Sequence, residues 1–372
     1  MPQIYLDYNA STPVAPSVVE TMRTALTFGY GNPSSLHWAG IPARALVEKA
    51  RAKVADLLGC KSDEIVFTSG GSEANNMALK GAFFASGRPH PHIITTAVEH
   101  PAIVEPCRFL ECLGAYVTWL PVDEFGRIDP DDLRCAITAD TILISIMQAN
   151  NEVGTIQPIA ECAVMAREHG IPFHTDAAQS VGKIDTNVDT LGVDLLTIAG
   201  HKIYAPKGVG ALYIRQGIQL EPLMHGAGHE AGRRAGTESA LLDAALGAAC
   251  ELVSDLAPME EVKVRRDRLW DELRAKFGNR IALNGHPEQR LPNTLNVSFV
   301  GRDGSALLGR LGGVAASTGS ACHEGSVELS PVLEAMGVSD DVGMGAIRFS
   351  LGRATTDAEV DAVIEKLTDE IL

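Results

Sequence analysis

Two side chains in this sequence, Lys202 and Asp176, have the types and the setting that cofactor chemistry requires. Lys202 follows the apolar run at 195–199 after one glycine and one histidine, and Asp176 follows the apolar run at 171–174. A lysine amine can form a Schiff base with an aldehyde, and a carboxylate can keep a pyridine nitrogen protonated. Together these two groups could hold pyridoxal 5'-phosphate as an electron sink. Taken alone, the same residues could be a surface lysine and a helix-capping aspartate.

A glycine-rich turn and a histidine follow two further apolar runs. Gly70-Gly-Ser72 comes after the run at 64–68 and opens a helical stretch, so its backbone N–H groups and the Ser72 hydroxyl would bind a phosphate. A turn with only a structural role would explain the same residues equally well. His100 follows the run at 92–96 and could either stack on a cofactor ring or be a buried histidine of the core.

One of the seven cysteines, Cys322, differs from the others in its surroundings. It lies in Ser317-Thr-Gly-Ser-Ala-Cys-His-Glu-Gly325, a run of small residues that indicates an exposed and mobile loop. A thiol in such a loop could reach a substrate, and the adjacent His323 would favour the thiolate. The alternative is a loop cysteine that has no function.

The elements that carry these residues alternate between strand-like and helix-like runs. The strand-like runs lie at 64–68, 92–96, 116–120, 141–146, 171–174, 195–198 and 210–214. Alternation of this kind predicts an α/β fold with a mostly parallel central sheet covered by helices. Ligands of such sheets bind at the carboxyl ends of the strands. Lys202, Asp176, His100, Asn151 and the 70–72 turn follow strand-like runs, so we expect them at one edge of the sheet.

The last third of the chain has the pattern of a separate unit. A long helical stretch from about residue 237 to 277 is broken at Pro258, and strand-like runs follow near 294–299 and 346–351. At 372 residues the chain is long enough for one large and one smaller domain. We predict a large domain of residues 15–255, and a small α/β domain that combines residues 1–14 with 256–372 and carries the cysteine loop.

Composition and charge argue against several classes of protein. The chain has 47 acidic and 31 basic residues, and its formal charge of −16 disfavours nucleic acids and anionic membranes as partners. No apolar run reaches the ~18 residues of a membrane helix, and no signal peptide is evident at the N-terminus, so we expect a cytoplasmic protein. His90-Pro-His92 lacks a third ligand and no Cys-x-x-Cys pair occurs, so we expect no metal site.

Motifs in a fixed order along essentially the whole chain resemble the cysteine desulfurases. These enzymes are the NifS/IscS-like branch of the class V aminotransferase group, which are pyridoxal phosphate enzymes of fold type I. The matching segments are Tyr5-Leu-Asp-Tyr-Asn-Ala-Ser-Thr-Pro13, Gly31-Asn-Pro-Ser-Ser35, Phe67-Thr-Ser-Gly-Gly-Ser-Glu-Ala-Asn-Asn76, Glu99-His100, Asn150-Asn-Glu-Val-Gly154, His174-Thr-Asp-Ala-Ala-Gln179, Gly200-His-Lys-Ile-Tyr204, Ala235-Gly-Thr-Glu238, Gly319-Ser-Ala-Cys322 and Ile347-Arg-Phe-Ser-Leu-Gly352. The resemblance implies a large domain with a mostly parallel sheet flanked by helices, and a smaller α/β C-terminal domain.

The resemblance also implies a role for each candidate residue. Lys202 would bond covalently to the cofactor, Asp176 would pair with its ring nitrogen, and His100 would stack on the ring. The residues facing the phenolic oxygen would be Gln179 and Asn151, and those holding the phosphate would be Gly71, Ser72, His201 and, from the neighbouring subunit of a homodimer, Thr237. Arg348, with Asn32 nearby, would bind the substrate carboxylate bidentately, and Cys322 would accept the sulfur.

The chain departs from the family pattern at three positions near these residues. Ala199 stands where a phosphate-binding serine is usual, Ala231 replaces an arginine, and His323 replaces a threonine that often follows the cysteine. Selenocysteine lyases resemble the chain at Ala321-Cys-His323, so selenocysteine is a second candidate substrate.

The activity that the resemblance implies is conversion of L-cysteine to L-alanine, with the sulfur left on Cys322 as a persulfide. The alternatives are a selenocysteine lyase, a plain aminotransferase in which Cys322 has no function, and a cofactor-bearing binding protein of a sulfur-transfer complex. The expected partners are L-cysteine or L-selenocysteine, a second copy of the chain and a sulfur acceptor. An iron–sulfur scaffold and a thiolation enzyme are both candidates for that acceptor.

Overall fold

The computed structural model describes residues 3–318, 320–323 and 326–371, with a description of the backbone alone for 320–323, 326 and 327. The strands are β1 Ile4–Tyr5, β2 Ile65–Thr68, β3 His92–Thr96, β4 Tyr116–Leu120, β5 Thr141–Ser145, β6 Phe173–Asp176, β7 Leu195–Ala199, β8 Gly210–Ile214, β9 Ile281–Asn284, β10 Thr294–Phe299, β11 Val314–Ala315, β12 Ser317–Thr318, β13 Ser320–His323, β14 Ser326–Leu329 and β15 Ala346–Ser350. The helices are α1 Pro16–Phe28, α2 Gly40–Leu58, α3 Gly71–Ser86, α4 Pro101–Cys112, α5 Pro130–Ala136, α6 Ile159–Glu168, α7 Val188–Leu191, α8 Ala240–Val253, α9 Ala257–Phe277, α10 Gly304–Arg310, α11 Pro331–Ala335, α12 Asp340–Gly343 and α13 Asp357–Ile371.

The central sheet has seven strands in the order β2-β8-β7-β6-β5-β3-β4. Strands β4, β3, β5, β6 and β7 pair in parallel, and β8 runs antiparallel to both of its neighbours. The strands are buried along most of their length because helices cover the sheet, which explains their apolar sequences. The prediction of an α/β fold with a mostly parallel sheet is therefore confirmed.

The parallel arrangement brings several chain segments to one edge of the sheet. Strands β2, β3, β5, β6 and β7 all end at this edge, because β2 and β7 are both antiparallel to the β8 strand between them. Helix α3 starts three residues after β2, and α4 starts five residues after β3. The first turns of both helices therefore lie beside the ends of β6 and β7.

A second, four-stranded antiparallel sheet has the order β12-β15-β10-β9. Two large clusters of buried apolar residues lie on either side of the proposed boundary. One is drawn from residues between Ala15 and Val253, and the other from Ile4, Leu6 and residues between Met259 and Ile371. The division into 15–255 and 1–14 with 256–372 stays a prediction, and this separation supports it. Pro258 lies in the first turn of α9, and the helical stretch is broken just before it, at residues 254–256.

The run of small residues around Cys322 forms strands where the sequence indicated a loop. Strands β13 and β14 pair as an antiparallel hairpin, in which the backbone of Cys322 lies opposite Val327. The Cys322 side chain lies outside the described part of the structure. Within the described ranges, no helix is long and apolar enough to cross a membrane.

Candidate active site

A cavity of about 250 Å³ lies at the carboxyl edge of the central sheet. Its walls come from the ends of the parallel strands and from the first turns of α3 and α4. Eight predicted site residues line it: Gly71, Ser72, His100, Asn151, Asp176, Gln179, His201 and Lys202. The structure therefore brings these residues together, as the order of the strands led us to expect.

Asp176 ends β6 and is 6% exposed at the cavity wall. Its Oδ2 accepts a hydrogen bond of 2.7 Å from Nδ2 of Asn75, and its Oδ1 accepts one of 2.9 Å from the backbone N–H of Ala178. Asn75 projects from α3, one turn after Gly71, so α3 supplies both a wall and a partner for the carboxylate. Asp176 is thus a fixed, buried hydrogen-bond acceptor that faces the cavity.

Lys202 ends the short 3-10 turn Gly200–Lys202 that follows β7. Its Nζ donates hydrogen bonds to two backbone carbonyls, that of Asn9 at 2.6 Å and that of Ala10 at 3.0 Å. Burial, with a further contribution from the charge of Arg348, lowers the pKa of the Lys202 amine to about 8, against the opposing charges of Asp176 and Asp7. A substantial fraction of the amine is therefore neutral near pH 8, which is the form that acts as a nucleophile or a base.

His100 is the N-cap residue of α4, and this position fixes its ring at the cavity wall. Its Nδ1 accepts a hydrogen bond of 3.0 Å from the backbone N–H of Ala102. Burial lowers the pKa of His100; the charge of Asp176 opposes this shift and that of Lys202 adds to it. The ring is therefore neutral near pH 7, and its proton lies on Nε2 because Nδ1 is an acceptor.

A further part of the cavity wall is formed by the start of α3 and by His201. Gly71 approaches β7 closely, since a Cβ on it would lie 3.2 Å from the Cβ of Ala199. The side chain of Ala199, the position at which the sequence resemblance implies a serine, lines the cavity there. Burial, with the charges of Lys202 and Lys207 and the neighbouring His100, lowers the pKa of His201 to about 4. A neutral imidazole and the N–H groups of the α3 start can all donate hydrogen bonds here.

Gln179 and Asn151 line the cavity near the N-terminal segment. The Gln179 amide donates a hydrogen bond of 3.0 Å to the carbonyl of Asn9 and accepts one of 3.0 Å from Nζ of Lys183. The carbonyl of Asn151 accepts hydrogen bonds from Arg348 Nη1 at 2.9 Å and from Asn9 Nδ2 at 3.2 Å. Both residues are thus tied to Asn9.

Arg348, Asn32 and Thr237 do not line this cavity. Arg348 lies behind the Asn151 carbonyl, is 8% exposed and forms an ion pair of 2.8 Å with Asp7. Asn32 is exposed, and its side chain accepts a hydrogen bond from the backbone of Ser34. Thr237 is exposed and borders a separate cavity of about 220 Å³. Within a single chain Asn32 and Thr237 therefore stand apart from the eight, whereas Arg348 contacts them from behind the cavity wall through the Asn151 carbonyl.

Asn9 is a site residue that the sequence reasoning did not assign. It is 1% exposed, and its backbone carbonyl receives both Lys202 and Gln179. Its other polar atoms bond to Asn151, Lys183, Asn293, Thr294 and Ser350. The only signal in the sequence was its position within the Tyr5–Pro13 motif. Asn75 was also missed, although its spacing of four from Gly71 places it on the cavity face of α3.

The chain matches proteins of known family along nearly its full length. The family model described as aminotransferase class-V matches residues 4–363. The cysteine desulfurase IscS of Dictyoglomus turgidum is 50% identical over 370 residues, which are 98% of this chain and 93% of that protein. Among solved structures, a NifS-like protein is 37% identical with a TM-score of 0.92, covering 99% of this chain and 98% of its own. The structure of SspA in complex with cysteine is 38% identical with a TM-score of 0.86, covering 95% of this chain and 100% of its own.

Proposed function

Because the chain belongs to the class-V aminotransferase family, we propose that the cavity is the active site of a pyridoxal phosphate-dependent cysteine desulfurase. The observation that carries this proposal is the placement of Lys202 and Asp176 on the walls of one buried cavity. Sequence identity of 50% with a cysteine desulfurase supports the choice of substrate. The reaction converts L-cysteine to L-alanine and leaves the sulfur on the enzyme.

The described residues fit pyridoxal 5'-phosphate at three points. Lys202 supplies a lysine amine with a lowered pKa, and Asp176 supplies a buried carboxylate for a protonated ring nitrogen. At the start of α3, where Gly71 packs closely against β7, the α3 N–H groups, Ser72 and His201 form a set of donors suited to a phosphate. His100 would stack on the ring, and Gln179 and Asn151 would lie on the side of its phenolic oxygen.

When bound, the cofactor stabilises the negative charge that develops at the substrate Cα. Lys202 would take the Cα proton as a neutral amine, and its lowered pKa makes that form available. The carbonyls of Asn9 and Ala10 hold the same amine at 2.6 Å and 3.0 Å when it is not bonded elsewhere. Asp176 stays in place because Asn75 and the Ala178 N–H both bind it.

Cys322 would accept the sulfur. Its thiolate attacks the sulfur of the substrate, a sulfur–sulfur bond forms, and the carbon–sulfur bond breaks with its electron pair left on the carbon. That carbon takes up a proton and leaves as part of alanine, so cysteine and the Cys322 thiol give alanine and a Cys322 persulfide. Arg348, with Asn32, would bind the substrate carboxylate.

A homodimer would complete the site. Thr237 would reach the phosphate in the neighbouring subunit, which agrees with its exposure in a single chain. Several large apolar side chains of the segment from α1 to the start of α2 are exposed, and a second copy of the chain would cover them: Leu26, Phe28, Tyr30, Leu36, Trp38 and Ile41. A sulfur-acceptor protein would then take the outer sulfur of the persulfide. The predicted location of the protein remains the cytoplasm.

The test is formation of L-alanine by the holoenzyme supplied with L-cysteine. Cys322→Ser should retain the absorbance of the bound cofactor but form no alanine, whereas Lys202→Ala should lose the covalent cofactor bond. Cys112→Ser is the matched control, because Cys112 is exposed at the end of α4, and it should behave as the wild type. Alanine formation by Cys322→Ser at the wild-type rate would overturn the role of Cys322, and turnover of cysteine that requires a keto acid as amino acceptor would identify a plain aminotransferase.

Selenocysteine supplied in the same assay distinguishes the nearest alternative. A desulfurase should form a persulfide on the peptide that contains Cys322, detected by mass spectrometry as one added sulfur. Turnover of selenocysteine alone, with no added sulfur from cysteine, would identify a selenocysteine lyase instead.

A further inference from the structure

Arg348, the proposed site for the substrate carboxylate, already holds a carboxylate of this chain. Its Nη2 lies 2.8 Å from Oδ1 of Asp7 and 2.9 Å from Oγ of Ser317. The Ser317 hydroxyl donates in turn to the same Asp7 oxygen at 2.8 Å. Asp7, Ser317 and Arg348 therefore form a closed triangle of hydrogen bonds around one charge pair.

The backbone fixes all three corners of this triangle. Ser317 is the residue of β12 that pairs with Arg348 on β15. Asp7 forms an isolated parallel bridge with Ser350, two residues further along β15. The ion pair thus results from strand pairing and not from chance contact of flexible side chains, and its side chains are only 10% and 18% exposed.

A carboxylate can bind a guanidinium through two oxygens at the Nε/Nη2 edge or at the Nη1/Nη2 edge, and in Arg348 the shared Nη2 already donates to Asp7 and Ser317. Nη1 is bonded to the carbonyl of Asn151, a residue of the cavity wall. Nε is buried and has no hydrogen-bond partner among the described residues. A carboxylate that binds this guanidinium through two oxygens must therefore share it with Asp7 or displace Asp7.

We propose that Asp7 is a specificity-determining residue, whose carboxylate occupies Arg348 in place of the substrate carboxylate and so limits the affinity of the site for that group. This inference rests on the proposed role of Arg348. Two carboxylates at one guanidinium repel each other, and the repulsion is stronger in a partly buried site than in water. Substrates that lack a carboxylate do not meet this repulsion, so the repulsion weakens the binding of one class of ligand only.

The electrostatics of Lys202 are consistent with a charge at this position. The charge of Arg348 lowers the pKa of Lys202, and the charge of Asp7 raises it. The substrate carboxylate, once bound at Arg348, would add a second negative charge near the lysine. The proton affinity of Lys202 would then increase at the moment when it is needed as a base.

The test compares two ligands that differ only in the carboxylate, L-alanine and ethylamine. Their dissociation constants are measured on the holoenzyme from the absorbance change of the cofactor. Asp7→Asn keeps an oxygen that can accept from Arg348 and Ser317 but removes the charge. The affinity of Asp7→Asn for L-alanine should rise about tenfold relative to its affinity for ethylamine, because any effect of Asp7 on Lys202 is common to both amines. Asp7→Glu keeps the charge and should restore the wild-type affinity for L-alanine.

Three results would overturn the inference. They are an unchanged affinity of Asp7→Asn for L-alanine, a weaker one, and an equal change for both ligands. Asp7→Ser supplies a second neutral side chain if the melting temperature of Asp7→Asn falls. Arg348→Ala separates this inference from the proposed function, because it should abolish the preference for L-alanine over ethylamine. If Arg348→Ala leaves that preference intact, the proposed carboxylate site itself is wrong.

Discussion

The Nζ of Lys183 lies 3.0 Å from Oε1 of Gln179, an amide that lines the candidate active site. Nζ of Lys183 also donates a hydrogen bond of 3.3 Å to Oδ1 of Asn9. Both acceptors are amide oxygens, so neither carries a charge that would balance that of the lysine. Burial, with the charges of Lys202 and Arg348, lowers the pKa of Lys183 to about 7. A second lysine thus lies next to the active site in a position where its charged form is disfavoured.

Lys183→Met should remove a pH dependence of stability. The pKa of Lys183 is about 7 in the folded chain and ~10.4 in the unfolded chain, so the unfolded chain binds more protons between these values. The free energy of unfolding therefore rises with pH in this window, by up to ~1.4 kcal/mol per pH unit from this group. The gain in melting temperature of Lys183→Met over the wild type should be largest below pH 7 and should shrink towards pH 10.

Lys207→Met is the control for this measurement, because Lys207 is exposed. Its melting temperature should differ from that of the wild type by the same amount at every pH. A difference between Lys183→Met and the wild type that does not change from pH 6 to pH 10 would contradict the prediction.

Glu99 should show the opposite trend. Its Oε1 accepts from the backbone N–H of Met147 at 2.8 Å and from Thr96 Oγ1 at 3.0 Å. Burial raises the pKa of the carboxyl to about 8, and the charge of Asp176 adds to that effect. The folded chain therefore keeps a proton that the unfolded chain loses above pH ~4.3, and the free energy of unfolding falls as pH rises from there to about 8.

Glu99→Gln has no proton to lose, so its stability relative to the wild type should increase from pH 5 to pH 8. Denaturant unfolding of both proteins across this range measures the difference. The exposed Glu111 provides the control Glu111→Gln, which should follow the wild type. A constant difference between Glu99→Gln and the wild type would show that Glu99 is ionised in the folded chain.

Mixed dimers should show whether Thr237 acts across a subunit interface. A chain with Lys202→Ala and a chain with Thr237→Ala should each be nearly inactive. After random reassociation, the mixture should recover about one quarter of the wild-type activity, because half of the dimers are mixed and each of these has one intact site. If Thr237 served the site of its own chain, the mixture would stay as inactive as its components.

Ala231→Gly should stabilise the protein. Ala231 has φ 54° and ψ 35°, the left-handed region, where a residue other than glycine costs ~1–2 kcal/mol. The extra freedom of glycine in the unfolded chain offsets ~0.5–1 kcal/mol of that relief. The melting temperature should therefore rise by about 1–3 °C. Gly232 has φ 83° and gives the matched comparison, because Gly232→Ala should lower the melting temperature.

Glu230, the neighbour of Ala231 in the chain, is anchored by its buried carboxylate. The Glu230 carboxylate binds Arg51 at 2.7 Å and 2.9 Å and accepts from the backbone N–H of Phe67 at 3.0 Å. This buried ion pair fixes the segment that leads to Thr237. A fall in the melting temperature of Ala231→Gly would mean that the alanine methyl packs more favourably than its geometry indicates.

The sequence predicted the parts of the site that depend on where a strand ends. Lys202, Asp176 and His100 each follow an apolar run, and parallel pairing alone was enough to bring them to one edge. The ion pair of Arg348 with Asp7 was not predictable in this way, because it joins residues 341 positions apart. The same holds for Asn9, whose bonds to Thr294 and Ser350 depend on how the antiparallel sheet packs against the N-terminal segment.

Other differences have local causes. The small residues around Cys322 indicated a loop, but antiparallel pairing of β13 with β14 satisfies their backbone groups and makes strands of them. Asn32 and Thr237 are exposed in a single chain. A sequence pattern shows what such residues resemble, but it does not show which surface of a second chain they meet.

The bonding of the N-terminal segment determines when the active site can form during synthesis. The backbone of Leu6 bonds to Ala315 and Ser350, and the carbonyls of Asn9 and Ala10 that receive Lys202 lie just beyond it. These residues leave the ribosome before β11 and β15, the strands to which they bond. More than a hundred residues separate Lys202 from Ala315, so the pocket around Lys202 can close only after that length of chain has been synthesised.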